Sequence, residues 1–243
     1  MSRKKRKERE FKTQIRENRN LKIIKGGQIE TIHRQKTVNI VPRNFKQDDL
    51  LESLTNPNNN IIFTTGPAGT GKTLISTLYA IKEFQKSNID KIVITRPAVS
   101  VDEQHGFLPG TLVEKMAPWT RPIFDIFDEY YHPKEMEYLV ENNKIEVAPL
   151  AYMRGRTFKN AIILADEMQN ATPSQMKMLL TRLGTGSKMV VTGDLQQADR
   201  PSNNGLLEFL GLYNNFQGHR YVDLVKFDVQ DVERHEAVKE ILS

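Results

Sequence analysis

From about residue 60 onward, short runs of apolar and β-branched residues alternate with longer stretches whose apolar positions recur every three or four residues. Ile61-Ile62-Phe63-Thr64, Lys91-Ile92-Val93-Ile94-Thr95 and Ala161-Ile162-Ile163-Leu164 are apolar through most of their length, which predicts strands buried on both faces. Ile145-Glu146-Val147, Met189-Val190-Val191-Thr192 and the alternating Tyr221-Val222-Asp223-Leu224-Val225 predict three more. Between the first two, Leu74, Ile75, Leu78, Tyr79 and Ile81 fall at helical spacing. A second helix carries its own signals. Thr172 is suited to the N-cap, Pro173 to the first helical position and Gln175 to a capping box. Met176, Leu179, Leu180 and Leu183 would form its inner face, with Gly184 ending it. Pro109, Pro118, Pro122 and Pro133 predict helices broken by loops between Ser100 and Asn143. Two apolar patches around Gly26-Gly27 predict a small hairpin over 21–32, and Val238, Ile241 and Leu242 predict a last amphipathic helix. Apolar strands separated by helices predict an α/β fold, with a mainly parallel sheet sandwiched by helices.

Charge divides the chain differently. Residues 1–36 hold 13 Lys/Arg and 4 Asp/Glu, whereas the remainder holds 22 and 26. A net charge of +5 therefore combines a strongly basic N-terminal arm with a mildly acidic domain over 37–243. The run Arg3, Lys4, Lys5, Arg6, Lys7, Arg9 has almost no apolar company and suits phosphate contact through counterion release. The absence of cysteine excludes disulfides, thiolate zinc sites and a cysteine nucleophile. The five histidines have no metal-ligand spacing. The longest aliphatic stretch, Ala161 to Ala165, is too short to cross a bilayer, and no apolar run follows the basic N-terminus as in a secretory signal. A cytoplasmic protein with no membrane partner is expected.

The most specific chemistry lies between the first strand and the first helix. Gly66-Pro67-Ala68-Gly69-Thr70-Gly71-Lys72-Thr73 matches G-x-x-x-x-G-K-[ST] in the strand–loop–helix context that this motif requires. Glycines let the backbone curl so that N–H groups meet a phosphate, and the helix adds the positive end of its dipole. Lys72 would bridge the β- and γ-phosphates of ATP, and Thr73 would offer its hydroxyl to Mg²⁺. A metal-holding carboxylate is expected at the C-terminal end of a neighbouring strand, where Asp166 follows Ile162-Ile163-Leu164-Ala165. Glu167, next to it, is placed to polarise the attacking water. The strand ending Thr192-Gly193-Asp194 brings Asp194 and Gln197 to the same edge as candidate sensors of the γ-phosphate.

Asp166-Glu167-Met168-Gln169-Asn170, with Gly193-Asp194-x-x-Gln197, resembles motifs II and III of superfamily 1 helicases. More closely, the chain resembles the PhoH-like ATPases. Besides the phosphate loop, the likeness is carried by Thr95-Arg96-Pro97-Ala98-Val99 and by Gly106-Phe107-Leu108-Pro109-Gly110 leading to Lys115 and Pro118. It continues through Arg154-Gly155-Arg156-Thr157-Phe158, Leu180-Thr181-Arg182-Leu183-Gly184 and Asp231-Val232-Glu233-Arg234-His235. The resemblance implies a RecA-like core that hydrolyses ATP, action on RNA or single-stranded nucleic acid, and a homo-oligomer such as a hexameric ring. It also implies, by analogy with the helicase Q-motif, that Gln47 reads adenine. The chain has no room for a KH-type module or a PIN nuclease, and looks like the short stand-alone and phage-encoded versions, for which the cytoplasm would be the host's.

Charge on the γ-phosphate calls for an arginine from the same or a neighbouring subunit, and Arg234 and Arg182 are the candidates. At the end of its helix, Arg182 has the alternative of pairing with the helix C-terminus. In a helicase-like core Arg96, Arg154 and Arg156 are candidates for nucleic-acid phosphate, and Trp119 and Phe107 for stacking on bases. Three uses of ATP stay open: remodelling RNA, acting on DNA or a nucleoprotein, and controlling the assembly of an oligomeric scaffold with slow turnover.

Overall fold

The structure, a computed structural model, describes residues 36–97, 112–199, 202–215 and 218–233, together with two short strands over 21–23 and 29–31. Those two strands, β1 (Leu21–Ile23) and β2 (Ile29–Thr31), pair antiparallel with Lys22 opposite Glu30, as the hairpin reading expects. The six other strands of the described residues form one sheet. They are β3 (Ile61–Thr65), β4 (Lys91–Thr95), β5 (Ile145–Val147), β6 (Ala161–Ala165), β7 (Lys188–Gly193) and β8 (Val222–Lys226). The order is β5-β4-β6-β7-β3-β8, and every pairing is parallel.

Because side chains alternate across a strand, each central strand supplies two cores. Ile62, Ile92, Ile94, Ile162, Leu164 and Val190 face one side. There they meet helices α1 (Phe45–Thr55), α2 (Lys72–Gln85), α3 (Leu112–Asp128) and α4 (Pro133–Glu141). Phe63, Val93, Ile163, Met189 and Val191 face the other side. They meet α5 (Pro173–Leu180) and α6 (Gly205–Asn215), with Phe63 stacked on Phe209 at 3.9 Å between ring centroids. The expected α/β sandwich of RecA-like topology is what forms. β7 lies between the strand that feeds the phosphate loop and the strand that ends at Asp166, so three strand ends converge on one place.

Local signals hold in part. Thr172 caps α5 and both halves of the capping box form. The helix stops at Leu180, however, so neither Leu183 nor Gly184 belongs to it. Gly184 has another reason to be small, since a Cβ there would lie 2.3 Å from the Phe158 carbonyl oxygen. Pro118 and Pro122 do not break the chain into loops but lie inside α3. Both are exposed, so water can take the place of the missing N–H groups, while Ile123 and Phe127 on the other face are buried and hold the helix to the core. The helix read from Val238, Ile241 and Leu242 lies outside the described residues.

Candidate nucleotide site

β3 runs into residues 66–71, and α2 starts at Lys72. Two glycines of this loop are required by their surroundings. Gly66 has φ +134°, and a Cβ there would fall 2.3 Å from the carbonyl oxygen of Phe227, just beyond β8. Gly71 has φ +91°, and a Cβ there would fall 2.7 Å from Nε2 of Gln47. Gly71 gives α2 no side-chain cap, and no acidic residue occupies the first turn, so the helix N-terminus remains available to an anion. Behind the loop, the Glu233 amide donates to the Gly69 carbonyl at 2.9 Å, and Asn44 Nδ2 donates to the Asp231 carbonyl at 3.2 Å.

Lys72 folds back over the loop. Its Nζ donates to the carbonyls of Gly66 (2.7 Å) and Pro67 (2.6 Å) and lies 3.3 Å from Thr70 Oγ1. Burial pushes its ammonium below the ordinary lysine value, and the charges of Asp194, Glu167 and Asp166 oppose that. These residues line a cleft of about 260 Å³, with Thr73 and Gln197 on its wall.

Asp166 leaves β6 at the cleft floor and is nearly buried. Its Oδ1 accepts from Thr73 Oγ1 at 3.0 Å and from Thr192 Oγ1 at the tip of β7. Two hydroxyls on one oxygen fix the carboxylate and leave Oδ2 for a cation. A carboxylate and a neighbouring hydroxyl are hard oxygen donors, and they suit Mg²⁺, which takes its other ligands from phosphate and water. Glu167 follows in the left-handed region (φ +54°, ψ +38°), unusual for a residue with a side chain. Gln169 Nε2 donates to its Oε2 at 2.5 Å. Asp194 caps the turn that presents Gln197, accepting from the Gln196 amide at 3.0 Å.

On the far side of the loop is a larger cavity of about 550 Å³, lined among others by Gln47, Leu74, Leu78 and Tyr130. Gln47 is buried there. Its Oε1 accepts from the Arg43 amide at 2.9 Å and its Nε2 donates to the Thr70 carbonyl at 3.0 Å. An amide retains one further hydrogen and one further lone pair for a base. As placed, its visible work is to hold the loop.

The arginines separate. Arg182 lies away from the cleft: Nε donates to the Met178 carbonyl at 3.0 Å, NH1 to that of Arg156 at 2.9 Å and NH2 to Thr181 Oγ1 at 2.9 Å. Its own carbonyl accepts from the Phe158 amide, ahead of β6, which puts it at the N-terminal edge of the sheet. A five-residue strand is ~16 Å long, so the reading of Arg182 as a charge-neutralising group at its own chain's γ-phosphate is corrected. It pairs with the end of α5 instead. Arg156 is also at that edge, in a bidentate pair with Glu146 (2.5 and 3.0 Å) that Lys91 joins at 2.9 Å. Arg154 is exposed near by. Arg96 leaves β4 at the cleft edge and donates from NH1 to the Trp119 carbonyl at 3.2 Å. Trp119 packs partly buried against the core. Arg234 and Phe107 lie outside the described residues.

Thr192 and Gln169 lie in stretches the sequence singles out, but their contacts with Asp166 and Glu167 do not follow from it, and Asn204 carries no signal there. Thr192 falls on the same sheet face as Asp166, which brings its hydroxyl to the carboxylate. Gln169 and Asn204 meet only through the fold, with Asn204 Nδ2 donating to the Gln169 carbonyl at 2.8 Å.

A phosphate loop, a strand-end carboxylate held by the loop threonine and an adjacent glutamate define a P-loop NTPase domain. The chain belongs to the PhoH-like protein family, whose model matches residues 39–243. It is 45% identical over 186 residues to the PhoH-like protein of Bacillus subtilis (strain 168), covering 76% of this chain and 57% of that one. It is 42% identical over 202 residues to the PhoH-like protein of Synechocystis (82% and 60%), and 39% identical over 220 residues to Protein PhoH of Escherichia coli K12 (87% and 61%). The chain thus spans little more than half the length of these relatives. Among solved structures it is partly similar to the Pif1 helicase from Candida albicans, with TM-score 0.40 and 14% identity over 84% of this chain and 44% of that one. The Sulfolobus solfataricus SWI2/SNF2 ATPase core in complex with dsDNA gives TM-score 0.45 and 10% identity over 84% and 49%. Both likenesses are too distant to bear on activity. Among the described residues no helix is long and apolar enough to cross a membrane.

Proposed function

We propose that the chain is a Mg²⁺-dependent ATPase that remodels RNA in a helicase-like manner as a homo-oligomer. The observation that carries the ATPase reading is the convergence of Lys72, Asp166 and Glu167 on one cleft. The triphosphate would lie along residues 66–71 and the start of α2, with Lys72 turning from the loop carbonyls to the β- and γ-oxygens. Asp166, with Thr73, would hold Mg²⁺, which when bound neutralises charge on the phosphates. Water attacks the γ-phosphorus as Glu167 takes its proton, the bond to the β-phosphate oxygen breaks, and ADP and phosphate result. Lys72 stabilises the charge that develops in between. Asp194 and Gln197 sense the γ-phosphate from the strand tip, and Arg234 supplies the further positive charge.

The RNA reading draws support from the 13 basic residues among the first 36 and from the exposed Arg154. DNA or a nucleoprotein would answer to the same charge. A different reading, an ATP-controlled oligomeric scaffold, is favoured by the excess of acidic residues in 37–243. ATP hydrolysis with and without single-stranded RNA or DNA, at two salt concentrations, decides between them. Lys72→Ala should abolish turnover. RNA should stimulate the wild type several-fold, and glutamine in place of Arg3, Lys4, Lys5, Arg6, Lys7 and Arg9 should remove that stimulation at moderate salt. Turnover that depends on Lys72 but ignores both nucleic acids would leave the scaffold reading standing and end the two nucleic-acid readings.

A further inference from the structure

The polar network around Glu167 does more than fill space. Gln169 is 1% exposed, and both ends of its side chain have partners of fixed type. Nε2 donates to Glu167 Oε2 at 2.5 Å, and Oε1 accepts from the Asp194 amide at 3.1 Å. The amide cannot be turned over, because a carboxylate needs a donor and an N–H needs an acceptor. Its backbone carbonyl accepts from Asn204 Nδ2 at 2.8 Å. Asn204 Oδ1 in turn accepts from the amides of Leu206 and Leu207 at 3.0 Å each, the first turn of α6. Gly193 lets the β7 tip press onto this group: a Cβ there would lie 2.5 Å from Leu206 Cδ2 and 3.0 Å from Gln169 Oε1. Glu167, whose backbone is in the left-handed region, is therefore directed from one side by an amide that also senses the β7 tip and α6.

We propose that Gln169 is the positioning residue for Glu167, setting its carboxylate toward the attacking water only while the β7 tip and α6 are docked. This rests on the reading of Glu167 as the base. A glutamine is required because it alone joins a donor for the carboxylate to an acceptor for the Asp194 amide at this length. Glutamate at 169 would keep the acceptor and so keep the docked tip, but would turn the contact with Glu167 into repulsion. Methionine would keep the volume and lose both bonds.

The two substitutions therefore separate positioning from packing. In the full chain, Gln169→Glu should lower kcat at least ~10-fold with KM for ATP within ~3-fold of wild type, since an interaction needed mainly in the transition state is lost. Gln169→Met should lower kcat comparably. Added to Glu167→Gln, Gln169→Met should cost nothing further, because the group it serves is already gone. A purely structural role predicts the opposite order, with Gln169→Glu near wild type and Gln169→Met impaired in kcat and KM alike. That order, or an additive loss in the double variant, would overturn the proposal while leaving Glu167 as base. Glu167→Gln turning over ATP at the wild-type rate would overturn both. Should Gln169→Met fail to fold, the kcat and KM of Gln169→Glu alone decide.

Discussion

At the C-terminal edge of the sheet, Lys72, Asp166, Glu167 and Asp194 face one another across a cleft. At the N-terminal edge, Lys91 and Arg156 pair with Glu146, and Arg182 binds backbone carbonyls. Both edges carry both signs of charge on the same six strands. They differ because parallel strands and their helices point the same way. The N-terminus of α2 meets the cleft with its N–H groups uncapped, an environment that attracts anions. The C-termini of α1 and α5 arrive at the other edge with free carbonyls, and cations from the chain itself, Lys188 and Arg182, satisfy them. A charged side chain can thus belong to either edge, and only the topology decides which.

The largest effect that tests this contrast is on turnover. If the proposed ATPase reading holds, Asp166→Asn should lower ATP hydrolysis at least ~100-fold, since it removes the charge that would hold the cation. Arg156→Ala and Arg182→Ala should leave it within about twofold. A collapse of turnover in Arg182→Ala, with a normal melting temperature, would break the comparison and show that this arginine reaches a neighbouring copy's nucleotide. Next in size is a change at the loop itself. Gly71→Ala forces a side chain into φ +91° and against Gln47. A loss of about 2 kcal/mol in urea unfolding is expected, with part of it recovered in the double variant with Gln47→Ala. No recovery would mean that the strain lies in the backbone alone.

Much of the cleft edge was legible before the fold was known. The phosphate loop is local, so Gly66 to Thr73 and the strand before them could be read directly. Asp166 and Glu167 were legible because an apolar run ending in two acids follows the phosphate loop by about a hundred residues, a context that the run alone does not supply. The failures are non-local. Arg182 looked like a candidate because sequence shows neither the edge it reaches nor the Met178 and Arg156 carbonyls waiting there. Gln169 belongs to a motif the sequence singles out, but its role is not legible there because its partners Asp194 and Asn204 are 25 and 35 residues away. Gly184 was read as a helix stop, although its small size answers to Phe158 on another segment. Glycine reports that room is short without saying what takes it.

At the N-terminal edge the effects are on stability, and smaller. Arg156→Ala removes a bidentate partner from the half-buried Glu146. Burial alone would oppose ionisation of Glu146, yet the hydrogen bonds from Arg156 and Lys91 hold its carboxyl below the ordinary value. Because the Arg156 side chain is 38% exposed, solvent screening reduces the expected loss to about 1 kcal/mol, or a few degrees in Tm. Lys91 remains to pair with Glu146. No change in Tm, but weaker RNA binding, would return Arg156 to the nucleic-acid surface.

Lys188 gives the finest test, because its charge is set by the edge it occupies. Its Nζ donates to the carbonyls of Leu54 and Asn56 at 2.7 and 2.8 Å, closing the end of α1. Burial pushes it down to about 8 from the ordinary 10.5, against the charge of Glu83. Between those two values the unfolded chain keeps a proton at this lysine that the folded chain has released, so stability rises with pH across that window. Tyr79 and Tyr131, pushed up to about 12 by burial, act in the opposite direction, but only above pH ~10, where unfolded phenols begin to ionise. Urea unfolding of wild type and Lys188→Met at intervals from pH 7.5 to 9.5 therefore isolates the lysine. The wild type should gain on the order of 1 kcal/mol relative to the variant over that range. Parallel curves would mean that the Leu54 and Asn56 carbonyls hold the ammonium charged in spite of burial, and that the N-terminal edge stabilises cations at the end of α1.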